Sequence, residues 1–138
     1  MRRLVVLLVE DSEDDILIVE RAFKLLGLGH ELHSFATGEE AIASLDAGTV
    51  RPDLILLDIN LPGLSGFEVL RRIRNNRLVH AVPVTVLSAS DRERDVAEAY
   101  EAGANSYLVK PIKFEQFTQL LRQWNEYWTG LGRLPASG

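Results

Sequence analysis

The sequence predicts an α/β fold, a doubly wound parallel sheet with helices on both faces, built from five strand–helix units. Three observations predict it. Short apolar blocks recur at residues 4–9, 32–35, 54–57, 84–87 and 107–109, and the first, third and fourth are nearly continuous, as in strands buried on both faces. Segments with helical spacing lie between them. Glycines and prolines fall where helices should stop and strands should start. At 138 residues and 46% hydrophobic composition, the chain is of a size to bury one core.

The first block follows Arg2 and Arg3 but has only six residues before Glu10 and Asp11, too few for a signal-peptide core or a membrane span. It reads as a buried strand. A helix over 12–27 follows, with Val19, Ala22, Phe23 and Leu26 on its core stripe. Leu17 projects among Arg21 and Lys24 and should be exposed, either as an isolated surface leucine or as part of a docking patch for a partner's helix bundle. The second strand leads to a helix over 37–48, and Pro52 introduces the third strand and a helix over 65–76. Pro83 introduces the fourth strand, followed by a helix over 90–103. Gly27, Gly48 and Gly103 are expected to end their helices in the left-handed conformation. The last helix, 112–128, carries Phe117, Leu120, Leu121, Trp124 and Trp128 on one stripe. Residues 1–128 are expected to form the domain. Residues 129–138, with three glycines and one proline, should be a C-terminal tail with no output domain after Trp128.

Composition narrows the function. The formal charge of −5 and scattered basic residues disfavour nucleic-acid binding, and no run is apolar enough for a membrane. Cysteine is absent, which removes disulfides and thiolate metal sites and fits a cytoplasmic location.

In open parallel sheets the working site lies beyond the carboxyl ends of the strands. Strand one ends in Glu10 and Asp11, strand three in Asp58, strand four in Ser88, and strand five in Lys110 followed by Pro111. Three carboxylates would repel one another without a cation among them, and an all-oxygen site suits Mg²⁺, with Mn²⁺ or Ca²⁺ as substitutes. One such ion and the Lys110 ammonium would balance the three carboxylates. Asp58 can then act as a carboxylate nucleophile on phosphorus. Asp11, Asp58 and a backbone carbonyl near Asn60 would hold the ion, Glu10 would act mainly through water, and Lys110 and Ser88 would meet phosphoryl oxygens.

These residues, set in Leu8-Val9-Glu10-Asp11, Leu56-Leu57-Asp58-Ile59-Asn60-Leu61-Pro62-Gly63, Val86-Leu87-Ser88-Ala89 and the run from Gly103 to Pro111, resemble the response-regulator receiver family over residues 4–124. Ser88 follows Asp58 by 30 residues and Lys110 by 52, both family-like intervals. The resemblance implies a flavodoxin-like (βα)5 fold with strand order 2-1-3-4-5. It implies Asp58 as phosphoacceptor, Glu10, Asp11, Asp58 and the Asn60 carbonyl as metal ligands, and Ser88 and Lys110 as phosphoryl ligands. Ser88 stands where Thr is commoner. Tyr107 matches the switch aromatic, whose inward movement would reshape the face formed by the fourth helix, fifth strand and fifth helix. The Lys110-Pro111 bond is a candidate cis peptide.

Tyr100 to Asn105, Phe114-Glu115-Gln116-Phe117 and the segment from Trp128 to Pro135 resemble more narrowly the stand-alone receivers paired with bacterial phytochrome histidine kinases. The implied partner is a sensor histidine kinase. The aromatic end of the last helix, Tyr127 and Trp128, suggests a homodimer through that same helix–strand–helix face, unless these rings fold back onto their own sheet. The expected function is therefore a receiver that catalyses its own phosphorylation and slow dephosphorylation without being a turnover enzyme. Two rivals stay open: a Mg²⁺-dependent phosphohydrolase, against which stands Asn60 where an acid/base carboxylate is usual, and a receiver-like interaction module that is never phosphorylated.

Overall fold

The computed structural model describes residues 3–135. Five strands form one parallel sheet: β1 (Val5–Val9), β2 (Glu31–Phe35), β3 (Leu54–Leu57), β4 (Val84–Ser88) and β5 (Ser106–Val109), in the order β2-β1-β3-β4-β5. The expected order is met. The near-continuous apolar runs are the central strands: every residue of β3 and β4 is buried, whereas β2 and β5 at the edges are only half covered.

Helices α1 (Glu13–Leu25), α2 (Gly38–Ala47), α3 (Gly66–Arg74), α4 (Glu93–Ala102) and α5 (Phe114–Glu126) cross between or follow the strands. The first three start where the sequence places a hydroxyl cap: Ser12, Thr37 and Ser65 each accept from a backbone N–H three residues on. Two large apolar clusters result, one on each sheet face. One gathers Leu7, Ile55 and Leu57 under α2 and α3, and the other gathers Val6, Leu8 and Leu56 under α1 and α5. Leu17 stays 59% exposed on α1, as its position on the helix requires.

Two helix starts differ from expectation. Helix α4 begins at Glu93, not Ser90, because Ser90 is engaged elsewhere: its Oγ donates to Asp95 Oδ2 and its carbonyl accepts from Tyr107, and Arg92 just before the helix is extended. Helix α5 begins at Phe114, leaving Ile112 fully exposed in the preceding loop.

The α5 stripe also divides. Phe117, Leu121 and Trp124 are buried, with Trp124 stacked on Phe23 at 6.2 Å and donating its Nε1–H to Thr85 Oγ1 at 3.2 Å. Trp128 is half-buried and Tyr127 exposed, packed edge to face at 4.9 Å. These two residues sit in a single π-helical turn, Tyr127–Leu131, and Leu134 beyond it packs against the same cluster as Trp124. The part of the expected tail at 129–135 thus carries a helical turn and one core contact, while 136–138 lie outside the described residues.

Candidate functional site

The sheet delivers the site by continuing its ladder one residue past each strand. Glu10 N–H donates to Phe35 O at 3.0 Å, Asp58 N–H to Val9 O at 3.0 Å, and Lys110 N–H to Ser88 O at 2.8 Å. The side chains of Glu10, Asp58 and Lys110 therefore leave β1, β3 and β5 at the same carboxyl edge of the sheet. Glu10, Asp11 and Asp58 each place a carboxylate oxygen within 4.8 Å of the others'. Glu10 and Asp58 are buried and Asp11 is exposed, so the trio opens to solvent on one side.

The Lys110 ammonium lies among carboxylates: 2.5 Å from Glu10 Oε1, 2.9 Å from Asp15 Oδ2 and 3.1 Å from Asp58 Oδ2. The remaining oxygens of two of these acids are held by backbone. Asp58 Oδ1 accepts from Asn60 N–H at 3.0 Å and Glu10 Oε2 from Ser12 N–H at 3.2 Å. Burial pushes Glu10 up to about 7, and the Asp58 charge adds to this against the lowering effect of Lys110. For Lys110 burial works against the charge, but hydrogen bonds to Glu10 and Asp15 and the field of Asp58 override it and raise the ammonium above its ordinary value. Three carboxylates bond to one ammonium and Asp11 lies beside two of them, a formal surplus of three negative charges that favours any added positive charge.

That surplus tests the donor set against a divalent ion. All donors are oxygens, two are buried, and the formal surplus of negative charge is what a 2+ ion would relieve, so the residues fit Mg²⁺ or Mn²⁺. The charge balance differs from expectation: Asp15 adds a fourth carboxylate, and one ion would leave one negative charge uncompensated.

The other expected residues lie around this centre. Ser88 ends β4, fully buried, with its Oγ accepting from Ser90 N–H at 3.2 Å and not turned onto the acids. Tyr107 on β5 donates its hydroxyl to Ser90 O at 2.8 Å and packs in a small cluster with Ile59, Val86 and Ala99. Ser90 thus bonds to both the Ser88 and the Tyr107 side chains. Asn60 is exposed two residues after Asp58. The cis peptide expected at Lys110-Pro111 is a correction: no cis bond occurs among the described residues. Trans is the lower-energy isomer of an X-Pro bond, and Lys110 reaches the acids from it.

Sequence reasoning missed two contributors. Asp15 stands three residues after the Ser12 cap and reads as a helix-capping acid, but Glu10 takes the Ser12 N–H, which leaves the Asp15 carboxylate for Lys110. Gly66 opens α3 against the backbone beside Asp58. A Cβ there would lie 2.4 Å from Asp58 O and 2.3 Å from Ile59 Cα, so only glycine lets the helix seat on this loop. A glycine directly after a Ser cap, eight residues past the acid, was the available signal.

A parallel sheet of this order with an acid trio and a lysine at its carboxyl edge defines a class: the phosphorelay receivers of two-component systems. The chain belongs to the response regulator receiver domain family, whose profile matches residues 6–122. It is 37% identical to the response regulator Rcp1 of Synechocystis sp. over 96% of this chain and 94% of that one. The Mn(2+)-bound structure of Rcp1 superposes with a TM-score of 0.87, covering 96% of this chain and 99% of that one. The phosphorylated cyanobacterial phytochrome response regulator RcpA superposes at 0.91 with 35% identity over 98% and 100% of the two chains. The receiver domain of the sensor histidine kinase PA1611 from Pseudomonas aeruginosa, solved with a magnesium ion in its active-site cleft, superposes at 0.73 with 32% identity over 89% and 98%.

Proposed function

We propose that Asp58 accepts a phosphoryl group from the phosphohistidine of a sensor kinase. The observation that carries this reading is the Lys110 ammonium 3.1 Å from Asp58 Oδ2, beside an acid trio that can hold a divalent ion. An Asp58 carboxylate oxygen forms the new P–O bond while the donor's P–N bond breaks, its electron pair leaving with the imidazole. Mg²⁺ held by Glu10, Asp11, Asp58 and the Asn60 carbonyl supplies charge neutralisation for the transferring group. Lys110 pairs with one phosphoryl oxygen. The Ser88 hydroxyl turns from Ser90 to another, which releases a restraint on the loop that Tyr107 holds through Ser90 O. The change is thereby passed to the face of α4, β5 and α5, which signals by binding.

On this reading the chain is not a turnover enzyme and works in the cytoplasm, with 1–128 as the receiver body and 129–138 as an appended segment. Likeness to RcpA supports a phytochrome-type kinase as donor. The groove of about 480 Å³ bounded by Leu108, Leu120, Tyr127 and Trp128 supports the β5 and α5 part of a homodimer through the face of α4, β5 and α5.

Acetyl phosphate with Mg²⁺ should place an acid-labile, hydroxylamine-sensitive phosphate on the wild type and none on Asp58→Asn. Equal labelling of both would refute the assignment. Rapid steady turnover of phosphate monoesters would favour a hydrolase instead.

A further inference from the structure

The Lys110 ammonium has three hydrogens, and three carboxylates take them. Glu10 and Asp58 already have parts in the proposed reaction. Asp15 has none, yet at 2.9 Å its contact with Nζ is shorter than that of Asp58 at 3.1 Å. It reaches the site from the first turn of α1 rather than from a strand end, its backbone anchored by the Ser12 cap at 3.2 Å.

We infer that Asp15 is a positioning residue that divides the Lys110 charge between itself and the phosphoryl group, favouring the divalent cation and disfavouring phosphorylation. The inference rests on the assignment of Asp58 as phosphoacceptor and deepens it to a regulation of the same site. When Asp58 becomes an acyl phosphate, negative charge moves outward onto the phosphoryl oxygens, and one Nζ hydrogen must turn to meet them. Asp15 keeps its own hydrogen and holds the ammonium on the α1 side. It also remains a fixed negative charge beside an incoming dianion. The same charge attracts a 2+ ion. One carboxylate therefore acts with opposite sign on the two ligands of the site.

The experiment is Asp15→Asn, which keeps the shape and removes the charge. Mg²⁺ affinity is measured by titration without a phosphoryl analogue, and beryllofluoride affinity at saturating Mg²⁺. Loss of Asp15 should weaken Mg²⁺ by about threefold or more and strengthen beryllofluoride by about threefold or more, while Asp15→Glu keeps both near wild type. A merely structural role would weaken both ligands together. That result, or no change in either, overturns the inference. A wild type that ignores beryllofluoride, or an Asp58→Ala variant that responds equally, would instead overturn the assignment of Asp58 beneath it.

Discussion

Replacing Lys110 by Ala removes the ammonium from among Glu10, Asp15 and Asp58 without touching the sheet ladder, since Lys110 N–H still reaches Ser88 O. Two of the stranded carboxylates, Glu10 and Asp58, are 2% and 7% exposed and cannot simply hydrate. Removing one partner of a buried ion pair costs about 3–5 kcal/mol. Here the loss depends on pH, because a proton can stand in for the ammonium. Glu10 has a folded-state pKa of about 7 against 4.5 unfolded, so its stabilising contribution is fully present below about pH 4.5 and lost as pH rises through about 7. Lys110, raised above its ordinary value, stays charged across that range in the wild type. The difference between wild type and Lys110→Ala should therefore be about 3 kcal/mol or more near pH 8 and smaller near pH 5, where the Glu10 share is gone and the unpaired Asp58 and the lost packing of the lysine stem remain. Mg²⁺ at about a hundred times its dissociation constant should restore up to about 2.7 kcal/mol at the higher pH. Urea unfolding at both pH values, with and without Mg²⁺, measures all three quantities. A loss that is equal at the two pH values and unaffected by Mg²⁺ would refute the charge argument and leave packing as the sole cause.

Two further outcomes follow from the same geometry. Gly66→Ala, whose Cβ would meet backbone atoms on both Asp58 and Ile59, should cost about 2–4 kcal/mol and weaken Mg²⁺ binding as the loop shifts; urea unfolding within about 0.5 kcal/mol of wild type would contradict the close approach. Mg²⁺ affinity should be flat above about pH 7 and fall toward about tenfold per unit below it, because the ion must displace the proton that burial places on Glu10; calorimetric titration across pH checks this, and a flat profile down to about pH 5.5 would exclude Glu10 from the site.

Much of this architecture was legible before any coordinate. The three hydroxyl caps at Ser12, Thr37 and Ser65 start helices because a side-chain oxygen and three backbone N–H groups are a local matter. Gly27, Gly48 and Gly103 all take positive φ, as their positions at helix ends require. At Gly103 the reason extends beyond stereochemistry: a Cβ would lie 2.7 Å from Cγ of Arg74, whose guanidinium ties the α4 end to α3 through Gly103 O. The start of α4 was not legible, since Ser90 resembles the other caps until Asp95 and Tyr107 claim it.

The sequence by itself determined the order of elements, the buried strands and the chemistry carried at each strand end, because hydrophobic period and turn stereochemistry act over a few residues. It also placed acids at the ends of two adjacent strands. The tertiary structure decided which groups meet: that Asp15 joins Lys110 across 95 residues of chain, that the Ser88 hydroxyl faces its own loop, that the Lys110-Pro111 bond is trans, and that Trp124 folds inward while Tyr127 stays out. Those outcomes depend on sheet register and on rotamers chosen by packing between distant segments. No local pattern encodes them.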